Sequence, residues 1–554
     1  MPVMAFDDIK NFTFKLFKTL SKNDLVRAVM AMRNKVEEQE QENKLLKKEV
    51  QKLKDQVNNL KGEQGKPDIK PPKNDDDDDD KKDSGSSSNG STNKNKRNTT
   101  KKDKIKVTRV EKVPIDKSKL PDDAQNKGSR SIIIQDISID LDNVKFEIPI
   151  YYSPSEGKSY EGEIPAAYKG SEFGPGIWSF IKLMHFEGRI TQNVLWKMLK
   201  GMGIKISEGQ INTIILSHKG IDLNNEMNNA REAAINKQNF EQIDDTGARV
   251  NGKNGATIAV VNDYMSFYFT NPSKNRLAAI DALTGSRELK FCINEISINY
   301  LDSKVGNKTL VKRLSRMVSD RLFTNDEFEN EIINAPWLKG KIKSHLKHVR
   351  EGCAIGALRA NLLGPRALIL ICDDAPQFKG ILEHIGLCWI HEIRHYKKLE
   401  PSHIDFKDIL ADFTDEFWDF YEMLKTYKER PSLRKKMKIE KWFNKLFSEE
   451  TDYFALNLLK KKTFNKKDSL LLFLEYPEIP LHNNASELSV REKVMQRQIK
   501  HCFRTWAGAQ INDTYLSLMA TCRKIGVSFG DFLKDRFFHG DKIPPLAQII
   551  EAMP

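Results

Sequence analysis

Between Val36 and Leu60 one heptad frame fits the chain: Val36, Asn43, Val50 and Val57 fall at a, and Gln39, Leu46, Leu53 and Leu60 at d. A β-branched residue at a with leucine at d favours two parallel strands, and a single asparagine at a fixes register and dimer state. The pattern predicts a dimerising coiled coil within residues 1–64, the alternative being an amphipathic helix folded against its own chain. Periodicity then stops. From Gly65 to Lys104 an aspartate block precedes a Ser/Asn/Lys tract, a composition that cannot bury a core and reads as a disordered linker over 65–104. From Ile105 onward, SIIIQDISIDL and VKFEIPIYY alternate with period two, which predicts a small β-rich module over 105–172.

Residues 173–235 turn helical. Thr191 is placed to cap a helix running to Lys200, Gly201 and Gly203 mark a turn, and Ser207 with Gln210 forms a capping box for a second helix. Two short helices about a glycine turn have helix-turn-helix form. Such a unit either puts its second helix, with Gln210 and Asn212, into a DNA groove or packs inside a larger domain. FEQIDDTGARV (240–250) then reads as a strand carrying an acidic pair, and ATIAVVNDYMSFYFTNP (256–272) as two more. RALILICDDAPQF places an apolar run, the mark of a buried central strand, directly before Asp373 and Asp374. Phe406, Ile409, Leu410, Phe413, Phe417, Phe420, Tyr421 and Leu424 recur at helical spacing. The fold class is therefore mixed α/β (α+β).

Charge narrows the partner. The 554 residues carry a formal +13, with a pI near 9.1, the balance expected of a protein that meets a polyanion, and nucleic acid is the first expectation. The longest apolar run, Ala367–Cys372, is strand-sized and far short of a membrane span. The start, MPVMAFDDIK, lacks the regions of a signal peptide, so a cytoplasmic location is expected. Six cysteines without a CxxC pair argue against a disulfide framework or a cysteine-rich zinc module.

Acidic residues at strand ends stand where sheets present ligands. Glu487 lies on a predicted helix, sharing one face with Asn483, Asn484 and Arg491 at spacings of three and four. Each acid alone would serve as a loop residue or an N-cap. Together they suit phosphoryl transfer on a nucleic-acid backbone, with two Mg²⁺ or Mn²⁺ ions about 4 Å apart, Asp244 bridging both, Asp373 holding one and Glu487 the other. Lys493 and Arg497 follow Glu487 by short steps and are candidates for phosphate contact. Cys388, His391 and His395, at i, i+3 and i+7, are a weaker candidate for a second metal, because no fourth ligand is apparent.

Four stretches, IDDTGARV, ICDDAPQF, CWIHEIRHYKKL and PLHNNASELSVR, resemble the bacterial insertion-sequence transposases of family sixty-six, DDE enzymes with an RNase H-like core. The resemblance runs from about Gly174 to Phe537. It implies that Asp244 and Asp373 are the catalytic aspartates and Glu487 the glutamate, with Asp245 and Asp374 the alternatives in each pair. It further implies a bacterial, nucleoid-associated enzyme that binds double-stranded DNA, both terminal inverted repeats and target. A homodimer or higher oligomer, accessory proteins of the same element and no membrane belong to the same expectation. More than a hundred residues separate each acid from the next, so helical insertions at about 302–352 and 395–475 are expected within a catalytic domain of 236–537, followed by a tail, 538–554. The family's cysteine zinc module has no counterpart, because 105–168 contain no cysteine. Two other classes fit the same residues: a nuclease of this fold that does not transpose, and a sequence-specific DNA-binding regulator whose acids are inert.

Overall fold

The computed structural model describes residues 21–60, 106–115, 121, 124, 130–137, 140–338, 343–362, 368–540 and 542–554. Two compact units divide the chain, one made of residues up to 48 with those from 148 on, the other of residues 49–147.

The first helix, α1 (Lys22–Leu60), docks on its own chain over its first half. Asn34 donates from Nδ2 to the Asp452 carbonyl (2.9 Å), Glu37 accepts the Ser402 N–H on both oxygens (3.0 Å), and Gln41 donates to the Tyr453 hydroxyl (3.2 Å). Those three positions, i, i+3 and i+7, lie opposite the heptad seam, where Val36, Leu46, Val50 and Leu53 are exposed. The self-docked alternative therefore holds for one side of the helix. Of the expected β-rich module over 105–172, the described residues form a single antiparallel hairpin of β1 (Ile150–Ser153) and β2 (Lys158–Glu161). Ile132, Ile134 and Ile137 are exposed, and alternating apolar side chains specify a sheet only when a partner layer covers them.

Next come α2 (Pro175–Phe186), α3 (Gln192–Gly201), α4 (Glu208–Leu216) and α5 (Leu223–Lys237). Gly203, at φ 88°, turns the chain between α3 and α4. The Ser207–Gln210 box is made in both directions, whereas Thr191 occupies its cap position without a side-chain bond. These helices are no separate domain, because Trp178, Leu195, Ile211 and Ile214 share one core with the sheet residues Ile243 and Ile258. Buried Lys182 donates to the carbonyls of Ile215 and Ser217 (2.8 Å each), closing the carboxyl end of α4.

The central sheet follows from β3 (Phe240–Val250), β4 (Lys253–Val261), β5 (Ser266–Asn271), β6 (Ile369–Cys372) and β7 (His384–Leu387), in the order β5-β4-β3-β6-β7. The β5, β4 and β3 strands pair antiparallel, while β3, β6 and β7 run parallel. Every residue of β6 is buried, as its continuous apolar run foretold. Between β5 and β6 lie α6 (Arg276–Thr284), α7 (Glu295–Lys304), α8 (Lys308–Ser315) and α9 (Lys343–Ala357).

After β7 come α10 (Trp389–Tyr396), α11 (Ile404–Glu429), α12 (Leu433–Ser448) and α13 (Phe454–Phe464), then α14 (Asn484–Lys500), α15 (Trp506–Lys524), α16 (Phe529–Phe537) and α17 (Leu546–Ala552). Trp389 packs edge-on or tilted against Phe417, Phe420, Phe443 and Phe447 at 5.5–6.4 Å, an aromatic core that fixes α10 to α11 and α12. Helix α15 covers the free edge of β5. Asp513, Ser517 and Thr521, four residues apart, accept the N–H groups of Thr270 (2.7 Å), Tyr268 (2.9 Å) and Ser266 (3.4 Å). A helix advances about 6 Å in four residues and a strand about 6.6 Å in two, so the two rows stay in step and close a sheet edge that would otherwise pair with other chains. The end of the chain is not a loose tail: α17 buries Leu546 and Ile550 in the common core. No helix among the described residues is long and apolar enough to cross a membrane.

Candidate active site

Parallel pairing of β3 and β6 sets Gln242 opposite Ile371. Two residues on stand Asp373, just past the end of β6, and Asp244, which is not at a strand end as expected but midway along β3 where that strand continues paired with β4 alone. On the far side of β6, Cys372 pairs with Leu387, so Cys388 and the start of α10 reach the same end. Helix α14 is pinned there by Asn483, wholly buried at its N-cap, which donates from Nδ2 to the Ile243 carbonyl (2.9 Å) and from its backbone N–H to Cys388 Sγ (3.3 Å). One turn later the helix presents Glu487. Three elements, separated by more than a hundred residues each, thus bring Asp244, Asp373 and Glu487 into one electrostatic neighbourhood.

Burial pushes the Asp244 carboxyl up to about 7, the Asp245 N–H bonded to it (2.8 Å) pulls it down, and the charges of Asp373, Asp245 and Glu487 push it further up. Asp244 forms no ion pair among the described residues. Burial also raises Asp373, opposed by the Ala375 N–H (3.1 Å) and by the nearby His391 and Lys274. A carboxylate that two or three others crowd and no cation neutralises is chemically suited to a divalent metal.

The alternative acids are otherwise engaged. Asp245 accepts from Gln377 (2.7 Å) and pairs with Lys274 (2.5 Å). Asp374 pairs with Lys379 (2.7 Å) and Lys466 (3.5 Å). Arg394 (3.4 Å) and His391 Nδ1 (3.6 Å) flank Glu487. Asn484 and Arg491 are exposed on α14, so the face expected for Asn483, Asn484, Glu487 and Arg491 is divided, with Asn483 turned inward.

Other expectations need correction. Cys388, His391 and Glu487 offer donor atoms all within 4.8 Å of one another, and His395 is not among them. Cys388 is the N-cap residue, outside the α10 helix, so the i, i+3, i+7 face does not exist as drawn. Burial raises the Cys388 thiol, which serves as an acceptor for Asn483. Lys493 is not on an exposed face of α14. It is buried and paired with Asp513 (2.9 Å), which Arg287 also reaches (3.1 Å). A long aliphatic stem lets a lysine on an amphipathic helix cross into the core when a carboxylate waits there. Arg497 bonds the Gly247 carbonyl and lies 3.4 Å from Thr246 Oγ1, tying α14 to β3. Gln210's side chain closes its own capping box, while Asn212 is exposed on α4.

Lys274, Gln377 and Arg394 were not singled out from sequence. His391 and Arg394, three apart in CWIHEIRHY, gave the one available signal: a polar pair opposite the apolar positions Trp389, Ile393 and Tyr396, all buried.

Residues 360–511 match the family described as "Transposase IS66 family". A relative from Sinorhizobium fredii, "Uncharacterized protein y4jO", is 32% identical over 317 residues, covering 56% of this chain and 95% of the relative. No solved structure matches.

Proposed function

The chain belongs to the IS66 transposase family, and from that premise we propose that it binds the terminal inverted repeats of a mobile element and catalyses metal-dependent strand cleavage and strand transfer. Asp244, Asp373 and Glu487 are its catalytic acids, carried by an RNase H-like core. The observation that carries this reading is the crowding of Asp244 by Asp373 and Glu487 beside the end of β6, in a sheet whose three antiparallel strands are extended by two parallel ones.

The donor set fits Mg²⁺ or Mn²⁺: partly buried carboxylate oxygens, among which Asp244 has no ion pair with any described residue. Asp244, Asp373 and Glu487 would hold the ions, two of which, when bound, steady the attacking and leaving oxygens of an in-line displacement. The chain's own residues supply position. Asn483 fixes where Glu487 stands relative to β3; Arg394 and His391 hold the Glu487 carboxylate from α10. Lys274 and Gln377 hold Asp245 aside, leaving Asp244 turned to the other acids. Homodimerisation through α1 completes the reading, since paired DNA ends call for paired subunits.

The test uses purified full-length protein and duplex DNA carrying the element's ends. Cleavage and joining in Mg²⁺ or Mn²⁺ are expected, both abolished by a chelator. Asp244→Ala, Asp373→Ala and Glu487→Ala each lose cleavage while binding DNA within several-fold of wild type. Cleavage retained in all three rejects the site; cleavage without joining identifies a nuclease; tight site-specific binding with no metal-dependent activity identifies a regulator.

A further inference from the structure

A cavity of about 860 Å³ opens beyond the carboxylates, walled by the end of β3, the last turns of α14, the start of α15, one side of α4 along its length, the end of α2 and the start of α3. Gly247 on its wall is three residues past Asp244, about 10 Å along the strand, and Arg497 is ten residues past Glu487, about 15 Å along the helix. The cavity is thus within a few nucleotide steps of the reacting centre.

Its wall holds an unmet hydrogen-bonding pair. Gln496 and Asn512, 2% and 3% exposed, bond each other through Asn512 Nδ2 and Gln496 Oε1 (3.1 Å), which leaves Gln496 Nε2 and Asn512 Oδ1 without partners. Turning both amides over changes which atoms are left, and not that one donor and one acceptor remain side by side. Buried amide groups without partners are rare in folded proteins. A donor beside an acceptor is what the edge of a nucleobase complements.

The mouth is built to match. Phe503 N–H donates to the Arg249 carbonyl (3.0 Å) and Asn251 N–H to the Phe503 carbonyl (2.8 Å), so the loop after α14 is zipped to the end of β3 and holds the Phe503 ring at the rim. The turn into that loop sets His501 at φ 61° and ψ −71°, an uncommon conformation for a residue with a side chain. Arg249 and Arg504 line the same wall, exposed and without ion pairs among the described residues. Glu208, the acid among the lining residues, is bonded by Asn193.

We propose that this cavity takes one unstacked nucleotide of the DNA strand leading away from the scissile phosphate, its base against Gln496, Asn512 and Phe503 and its phosphates against Arg249 and Arg504. A base taken out of its stack needs an aromatic face, an edge partner and backbone cations; Phe503, Arg249 and Arg504 line the cavity, and the buried Gln496–Asn512 pair would supply the edge partner once the base displaces the side chains that cover it. The partner, DNA, rests on the transposase reading; the pocket's geometry does not.

The test is fluorescence anisotropy of the full-length protein in a chelator, with labelled oligothymidylate of about twelve nucleotides and a blunt duplex of matched length. Wild type binds the single strand. Gln496→Leu with Asn512→Leu, which removes both partners of a buried pair and so spares the fold, weakens that binding about tenfold or more and leaves the duplex within a few-fold. Arg504→Ala, on the surface, lowers the slope of log affinity against log salt by about 0.7. The proposal is overturned if wild type does not bind the oligothymidylate, if the double variant weakens single strand and duplex equally, or if Arg504→Ala leaves both affinity and slope unchanged. Should the double variant not fold, the Arg504→Ala result decides alone. Failure of the transposase reading shows separately, as wild-type protein that binds the single strand yet cleaves no duplex in Mg²⁺ or Mn²⁺.

Discussion

At Asp244, burial and three neighbouring carboxylates act in one direction and carry the acid to about 7. A folded-state value raised above that of the unfolded chain means that the folded protein binds the proton more tightly. The resulting stability is present at low pH and is lost as pH rises toward and through 7; Asp373, also raised, adds in the same sense. Asp244→Asn should therefore raise Tm at pH 8, where a loss of about 1 kcal/mol of strain corresponds to roughly 2–4 °C, and the gain should shrink at pH 5. A thermal-melt difference of equal size at both values contradicts the raised Asp244 carboxyl, whose first cause is burial. Divalent metal must displace the same proton, so Mn²⁺ should raise the wild-type Tm more at pH 8 than at pH 6, and Asp244→Asn should lose most of that response. Lys493 makes the converse point about charge. Buried against Asp513, it belongs to the fold, and Lys493→Ala should destabilise by about 3 kcal/mol while leaving the salt slope of DNA binding unaltered. A reduced slope at wild-type Tm would return Lys493 to the DNA surface.

Elements, rather than residues, decide how these acids meet. Helix α14 owes its place to Asn483, whose side chain, removed in Asn483→Ala, leaves the Ile243 carbonyl without that donor while the backbone N–H contact to Cys388 stays; a cost of about 1–3 kcal/mol is expected in chemical denaturation, together with lost cleavage as Glu487 drifts. Cleavage at the wild-type rate in a destabilised Asn483→Ala protein would show that the pin is structural only. Much of this scale was legible beforehand. Alternation and β-branched runs gave β3, β4 and β5, the apolar run before Asp373 gave β6, and Ser207 with Gln210 gave the start of α4, because each signal is local and each partner lies within a few residues. The convergence of α10 on Glu487 was not legible: His391 and Arg394 come from an element more than ninety positions upstream, and only the aromatic packing of Trp389 turns their side of the helix toward α14. The alternation over 131–148 misled for the same reason in reverse, since a period of two states which side chains share a face and says nothing of whether another layer exists to cover them.

At the scale of the whole molecule, α1 has two sides with different commitments. Asn34, Glu37 and Gln41 fasten it to the segment from Ser402 to Tyr453, and Arg33 adds an ion pair with Asp405 (2.6 Å). The opposite side shows Val36 and Leu46, each more than half exposed, in register with Asn43. An apolar seam on a helix already anchored elsewhere is poorly explained by intramolecular packing, and the heptad spacing matches a second copy of itself. The two sides should then fail independently. Val36→Glu with Leu46→Glu should halve the mass measured by light scattering and leave the Tm of the body within a degree or two, because both side chains are more than half exposed and neither belongs to the core. Glu37→Ala should do the reverse, keeping the dimer mass while exposing the first half of α1 to limited proteolysis, since the Ser402 N–H loses its acceptor and Gln41 its neighbour. Asn43→Leu should keep association but broaden it beyond the dimer, as the polar register mark is gone. If the double glutamate variant keeps the wild-type mass, the seam does not join subunits, and the pairing of DNA ends must be sought on another surface.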